Sequence, residues 1–404
     1  MEPWRRNLYF SWLSQLLCIL GFSAAFPFIP YYLQEMGIID ANQLKLWTGY
    51  ITTGGSLSMA IFAPIWGSLA DRYGRKIMVE RAAFIGAIII FLMAFAQNAP
   101  QLLILRTIQG AFTGTVAAFT TLVACSTPRK HIGFALGLMQ MAVFSGSSGG
   151  PLLGGFIADA FGYRTAFVVC AIMLLIGFLI AWRFVDEAFV PGERKRASLM
   201  DGVRSLLSQR AILIMTTVIF SLQFTGSMVR PMMPIYVQEL QTDPDYLATI
   251  AGFIQGGTAF SGAIAAALIG RISDRIGHRL VLILCSLGAA ATYLPQSLVT
   301  TSMQLLVLNV LLGFFLGGLL PSANAVIALT VRDGRQGATY GITASAGAAG
   351  RALGPVLGSA VAVSRSIRSL FPTAAVLYGL IAIWVAVTIR GGKRIGAEHA
   401  PSAD

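Results

Sequence analysis

At 404 residues, 56% hydrophobic and only 11% charged, with a mean hydropathy of +0.73, the chain is unlike a soluble domain, in which roughly a quarter of residues are charged. A net charge of +12 in a soluble protein would point to nucleic acid. Here the basic residues sit in alternate loops between apolar stretches of bilayer-spanning length, about 20 residues each, so the sequence reads as a polytopic helical membrane protein with no nucleic-acid role.

The first apolar stretch follows directly on Met1-Glu2-Pro3-Trp4-Arg5-Arg6. It is too long for a signal peptide and has no A-x-A site, so it reads as an uncleaved first helix. In chain order the pattern predicts twelve helices, at 8–33, 44–66, 77–97, 101–123, 133–158, 163–185, 211–237, 247–269, 279–298, 303–330, 336–362 and 370–390. Cytoplasmic loops are enriched in Lys and Arg. With both termini inside, the outer loops hold only Lys45, Arg164, Arg365 and Arg368 of the 29 basic residues, so both termini are expected in the cytoplasm. The absence of any N-x-S/T sequon fits a cell membrane of bacterial inner-membrane type. The charged stretch 186–210 parts six helices from six. The predicted domains are therefore an N-terminal bundle, 1–185, a cytoplasmic linker, 186–210, and a C-terminal bundle, 211–404.

Four segments of the first half carry patterned residues. Helix 1 has Leu20-Gly21 and Pro27-x-x-Pro30. The loop after helix 2 reads Gly67-x-Leu69-Ala70-Asp71-Arg72-x-Gly74-Arg75-Lys76. Gly67 is expected to let helix 2 approach a neighbour, and Gly74 to permit a tight turn. Asp71 is expected to pair with an arginine or the positive N-terminus of a facing helix, a latch that holds in one state and breaks in the other. Helix 4 carries Arg106-x-x-Gln109-Gly110-x-x-x-Gly114. Arg106 lies near the outer end, ~8 Å away at the helical rise, within reach of snorkelling. Helix 5 carries Gly146-x-x-x-Gly150-Pro151-x-x-Gly154-Gly155. Its glycines let backbones touch, and Pro151 is expected to bend the helix where that contact ends.

Shifted by 203–204 residues, the chain meets itself. Gly67, Asp71, Arg72 and Gly74 fall on Gly270, Asp274, Arg275 and Gly277. Arg106, Gly110 and Gly114 fall on Asn309, Gly313 and Gly317. Pro27, Pro30, Gln34 and Glu35 fall on Pro231, Pro234, Gln238 and Glu239. Gly150, Pro151 and Gly154 fall on Gly354, Pro355 and Gly358. Such repeats build transporters whose halves rock about a midplane site.

The Gly67–Lys76 segment resembles the signature of the major facilitator superfamily, and the resemblance covers essentially the full length. It implies an all-α membrane fold of twelve transmembrane helices in two pseudo-symmetric six-helix bundles. The patterns of helices 1, 4 and 5 resemble those of the superfamily's twelve-helix drug:proton antiporters. That resemblance implies efflux of small amphipathic compounds by proton antiport, with Arg106 in coupling; the residues themselves leave only peripheral acids such as Asp71, Glu35 or Glu239 to carry the proton.

The residues themselves qualify this expectation. Every Asp and Glu falls at a helix end, in a loop or in a tail, unlike exporters that use a membrane carboxylate for cations. The embedded charges are Arg106, Arg230 and Arg351, and an unpaired one should face a cavity, a carbonyl or a substrate. Arg230 could instead snorkel or pair with Glu35 or Glu239, and Arg351 could bond carbonyls at a helix break. Candidate cavity residues are Phe22, Phe26, Gln109, Thr113, Gln140, Phe144, Gln223, Ser227, Arg230, Asn309, Asn324 and Arg351; ordinary helix packing competes for each. A sugar, metabolite or lipid exporter, including one for anions, and a transporter-like sensor are the alternatives. No H-E-x-x-H and no P-loop occur, and no enzyme is expected. Cys18, Cys125, Cys170 and Cys285 have no ligand spacing, so neither metal nor cofactor is expected. The partners expected are a small molecule, a proton and the bilayer, around a monomer.

Overall fold

A computed structural model describes residues 2–187, 210–241, 246–330 and 336–388. The predicted linker lies almost wholly outside the described residues, as does the side chain of Asp71. The described residues form helices and no strand, as expected of a chain that must satisfy its backbone internally in lipid.

The helices are α1 (Pro3–Ala25), α2 (Ile29–Glu35), α3 (Ala41–Tyr73), α4 (Arg75–Met93), α5 (Ala99–Phe112), α6 (Thr115–Ser126), α7 (Ile132–Phe161), α8 (Tyr163–Phe184), α9 (Arg210–Val229), α10 (Met233–Leu240), α11 (Leu247–Ile276), α12 (His278–Gln296), α13 (Ser302–Thr330), α14 (Gln336–Ser364) and α15 (Leu370–Thr388). They make twelve spans, because three spans are each split into two helices. Ten spans are long and apolar enough to cross a membrane; α3 and α4 fall short of that test. In α4 the cause is Arg75, Lys76, Glu80 and Arg81 within its first seven residues.

Two of the splits are repeats of each other. α1 gives way to a 3-10 turn, Phe26–Phe28, and α9 to Arg230–Met232. Each turn has a proline at its second residue, Pro27 and Pro231, which offers no N–H to the helical ladder. The third split, at Thr113 and Gly114, was not expected: helix 4 was predicted as one piece. Gly114 adopts φ 121° there, whereas its counterpart Gly317 lies inside unbroken α13.

Packing repeats as well. α1 lies on α7 as α9 lies on α14, α3 on α5 as α11 on α13, and α4 on α8 as α12 on α15. Small residues make this possible, since lipid supplies no hydrophobic drive between helices. A Cβ on Gly150 or Gly154 would strike Ser23 or Ala24 of α1, and one on Gly354 or Gly358 would strike Ser227 or Met228 of α9. Tyr32 donates to the Met93 carbonyl at 2.9 Å, and Tyr236 to that of Gln296 at 2.7 Å. The halves join through α7 against α11 and α3 against α14.

Two expectations fail here. A Cβ on Gly67 would meet open space, so Gly67 allows no close approach in this conformation. Nor does the α7 contact end at Pro151. α7 is helical through it, and the Pro151 carbonyl lies against Gly252 while Gly155 lies against the Ala248 backbone of the other half.

Candidate functional site: the seam between the halves

The seam has two ends. The terminal face holds the starts of α1 and α4 and the end of α8; the far face holds the ends of α2 and α7 and the start of α11. Hydrogen bonds between the halves gather at the far face. Tyr31 donates to the Pro234 carbonyl at 2.6 Å. Gln34 and Gln238, repeat partners, exchange bonds of 2.8 and 3.2 Å. Lys45 reaches the Ala362 carbonyl at 3.4 Å.

The most informative of these contacts is Asp159. α11 begins without a side-chain cap of its own, its N-cap residue being Tyr246. The Asp159 carboxylate, at the last turn of α7, accepts from the backbone N–H of Ala248 at 3.1 Å and of Thr249 at 2.7 Å. A carboxylate at a helix N-terminus satisfies orphan donors and meets the positive end of the dipole. One half thus caps a helix of the other. Sequence reasoning passed over Asp159 as one more acid at a helix end. No sequence signal points to it, since Asp243 and Asp245 precede α11 in the chain and only the structure shows that the start of α11 has no side-chain cap of its own.

At the terminal face, the side-chain bonds seen among the described residues run within a half. Gly74 turns the chain at φ 100° and Gly277 at φ 95°, as Gly74 was expected to. Glu187 accepts from the N–H groups of Arg75 and Lys76, both at 2.8 Å, and Arg6 bonds Asp186. Asp274 stands 3.9 Å from His278, four residues on. Arg72 lies over Tyr73 at 5.2 Å, and Arg275 is exposed.

Between the faces, the N-terminal half holds an aromatic cluster. Phe22 stacks on Phe26, which meets Phe167 edge-on. The Arg106 guanidinium lies 3.8 Å above the Phe26 ring and donates to Gln109. Arg106 therefore does not snorkel. Placing an arginine in the membrane costs about 2.5–3.5 kcal/mol on insertion scales, and a desolvated cation–π contact returns about 2 kcal/mol. Gln109 is buried and committed to Arg106, and Thr113 ends α5.

The C-terminal half differs. Asn309, in the place of Arg106, is buried and donates to the Leu305 carbonyl at 2.9 Å, so it does not line the seam. Ser227 donates to the Gln223 carbonyl at 2.5 Å and to that of Gly350 at 3.2 Å; Gln223 is half-buried and Asn324 exposed. Arg230 does not pair with Glu35, whose partner is Arg164 at 3.4 Å.

α7 and α11 diverge around a cavity of about 700 Å³ lined by Phe144, Ser148, Leu152, Phe253, Phe260 and Leu306 among others. Phe144 was foreseen; Gln140, a turn away, is exposed. Sequence reasoning missed the α11 wall, although Phe253 and Phe260 stand two turns apart on one helix face. Gly146-x-Ser148-x-Gly150 matches a hydrolase nucleophile pattern in letters, but it lies within continuous α7 rather than on the strand-to-helix turn that pattern requires.

The family model for the Major Facilitator Superfamily matches residues 11–248 and 215–402. The chain belongs to that superfamily. Among its relatives in the superfamily, the multidrug resistance protein MdtG of Proteus mirabilis is 36% identical over 390 residues, covering 95% of this chain and 96% of that one. MdtG of Salmonella typhimurium is 34% identical over 384 residues, with 94% and 95% covered. Among solved structures, a bacterial homologue of the human lysosomal transporter Spinster in an inward-facing and occupied conformation superposes with a TM-score of 0.79 at 15% identity, covering 96% of this chain and 97% of that one. This last likeness speaks for the fold.

Proposed function

We propose that the chain exports small amphipathic compounds, multidrug-type, by alternating access in exchange for protons. The observation that carries the alternating-access reading is the cross-half cap of Asp159 on α11, a contact that must break when the far face opens. The relatives named for multidrug resistance supply the export assignment. The moving units are residues 1–185 and 211–404, joined by 186–210, in a monomer. The loop charges support cytoplasmic termini in an inner membrane, so the far face is the outer one and the present conformation opens inward. Asp71 serves as the inner latch of the opposite state, and Arg106 takes part in coupling.

The test is efflux of a dye panel from proteoliposomes with and without a pH gradient. Gradient-driven export of several compounds is expected. Flux that ignores the gradient contradicts proton exchange, and no flux for any compound favours the sensor reading.

A sugar, metabolite or lipid exporter is the second reading. It is favoured by the placement of the described acids at or near helix ends.

A further inference from the structure

Two of the three embedded charges have no partner in the contacts above. Arg230 opens the turn between α9 and α10, and Arg351 lies in the middle of α14. Arg230 is exposed and Arg351 half-buried. Among the described residues neither makes an ion pair or a hydrogen bond, and neither contributes a sealed nitrogen atom. The turn that carries Arg230 packs on α3 of the other half and on α14, so Arg230 stands at the seam. Gly354, three residues beyond Arg351, packs on Ser227, three residues before Arg230, so the two arginines lie on adjoining stretches of α14 and the end of α9.

The repeat fixes its depth. Arg230 occupies the position of Phe26, on which Arg106 rests at 3.8 Å, so Arg230 and Arg106 stand at one level on either side of the pseudo-twofold axis. Of the two acids that could have paired with Arg230, Glu35 is committed to Arg164, and Glu239 is exposed and makes no ion pair with it. Arg106 is engaged with Phe26 and Gln109. Guanidinium groups on adjoining stretches repel, and unpaired arginines in a membrane are costly and mark functional paths. An oxyanion relieves both penalties, since a planar guanidinium fork binds it in a bidentate fashion.

We infer that Arg230 and Arg351 form an anion-binding subsite for the carboxylate or sulfonate of an amphipathic substrate. This rests on the efflux reading and names the substrate class of the same seam. A lipid phosphate presents similar oxyanion chemistry, and the test separates the two.

Thermal stabilisation of the purified full-length chain is measured with naphthalene-2-sulfonate, neutral 2-naphthylmethanol, 2-naphthylmethylammonium and short-chain phosphatidylglycerol. The sulfonate is expected to bind about 10-fold tighter than the alcohol, as one charge-assisted bond provides, and the ammonium no tighter than the alcohol. Arg230→Gln and Arg351→Gln each remove the sulfonate's advantage and leave alcohol binding unchanged, while Arg365→Gln, at an exposed loop position, keeps it. Arg→Lys versions, which retain the charge, keep part of the advantage and serve where a glutamine variant does not fold. Equal affinities, tighter ammonium binding, or a preference that survives both glutamine variants overturns the subsite; stabilisation by the lipid alone overturns the substrate assignment. Liposome flux separates the two readings. Export of alcohol and sulfonate at equal rates, unaltered in the variants, sinks the subsite alone. No flux of either, with the binding order intact, sinks the export reading and leaves the subsite standing.

Discussion

The two halves share a scaffold and differ in where they keep their positive charge. In the N-terminal half, Arg106 is parked over Phe26 and tied to Gln109. In the C-terminal half, the same two positions hold Asn309, buried against its own helix, and Arg230, exposed at the seam. The glycine contacts that set helix spacing are conserved between the halves; the groups that would touch a substrate are not. Duplication thus supplies the two-lobed machine, and divergence at a few positions leaves one arginine engaged within its own half and the other open to the seam.

The largest effect that tests this contrast is on the shared scaffold. Gly154→Val and Gly358→Val each drive a side chain into backbone, of Ala24 and Met228 respectively. Each should cost about 1–3 kcal/mol of stability, as overpacking does, and by similar amounts in thermal melts of the purified protein. A large cost in only one half would break the equivalence. Next is the parked arginine. Phe26→Ala and Arg106→Gln should each cut transport about tenfold, and the double variant should cost little more than either single one, because both remove one contact. Simple additivity would show that they act separately. Asp159→Ala removes a helix cap, typically worth about 1 kcal/mol, and should raise the far-face-open population about fivefold, read as labelling of a cysteine at Gln34. The smallest effect belongs to Ser227→Ala. Its hydroxyl is spent on the Gln223 and Gly350 carbonyls, so substrate affinity should change less than about twofold while stability falls by about 1 kcal/mol. A large affinity loss would place Ser227 in the binding wall after all.

The duplicated twelve-span plan was legible in the sequence because span length, loop charge and the 203–204-residue offset are properties of composition and order. The helix breaks at Pro27 and Pro231 had a visible cause. The break at Thr113 and Gly114 had none, since its counterpart Gly317 sits in an unbroken helix. Site residues were harder to place, because a helix apolar on all sides does not declare which face meets lipid and which meets a partner. Asn309 was read as a cavity group and is buried. Gly67 was read as a close-packing residue and faces open space. Asp159 was invisible as a gate because its partners are backbone N–H groups of another half, which no side-chain pattern encodes.

The central claim is that the far and terminal faces open in alternation. It is tested most directly by paired spin-label distances in a cysteine-free background. One pair, Ile39 with Tyr246, spans the halves at the far face; the other, Tyr73 with Ile276, spans them at the terminal face, and all four residues are exposed. Introducing Asp159→Ala should lengthen the first distance and shorten the second in the same fraction of molecules. If both distances lengthen together, or neither responds, the halves do not rock about a shared seam and the account is wrong.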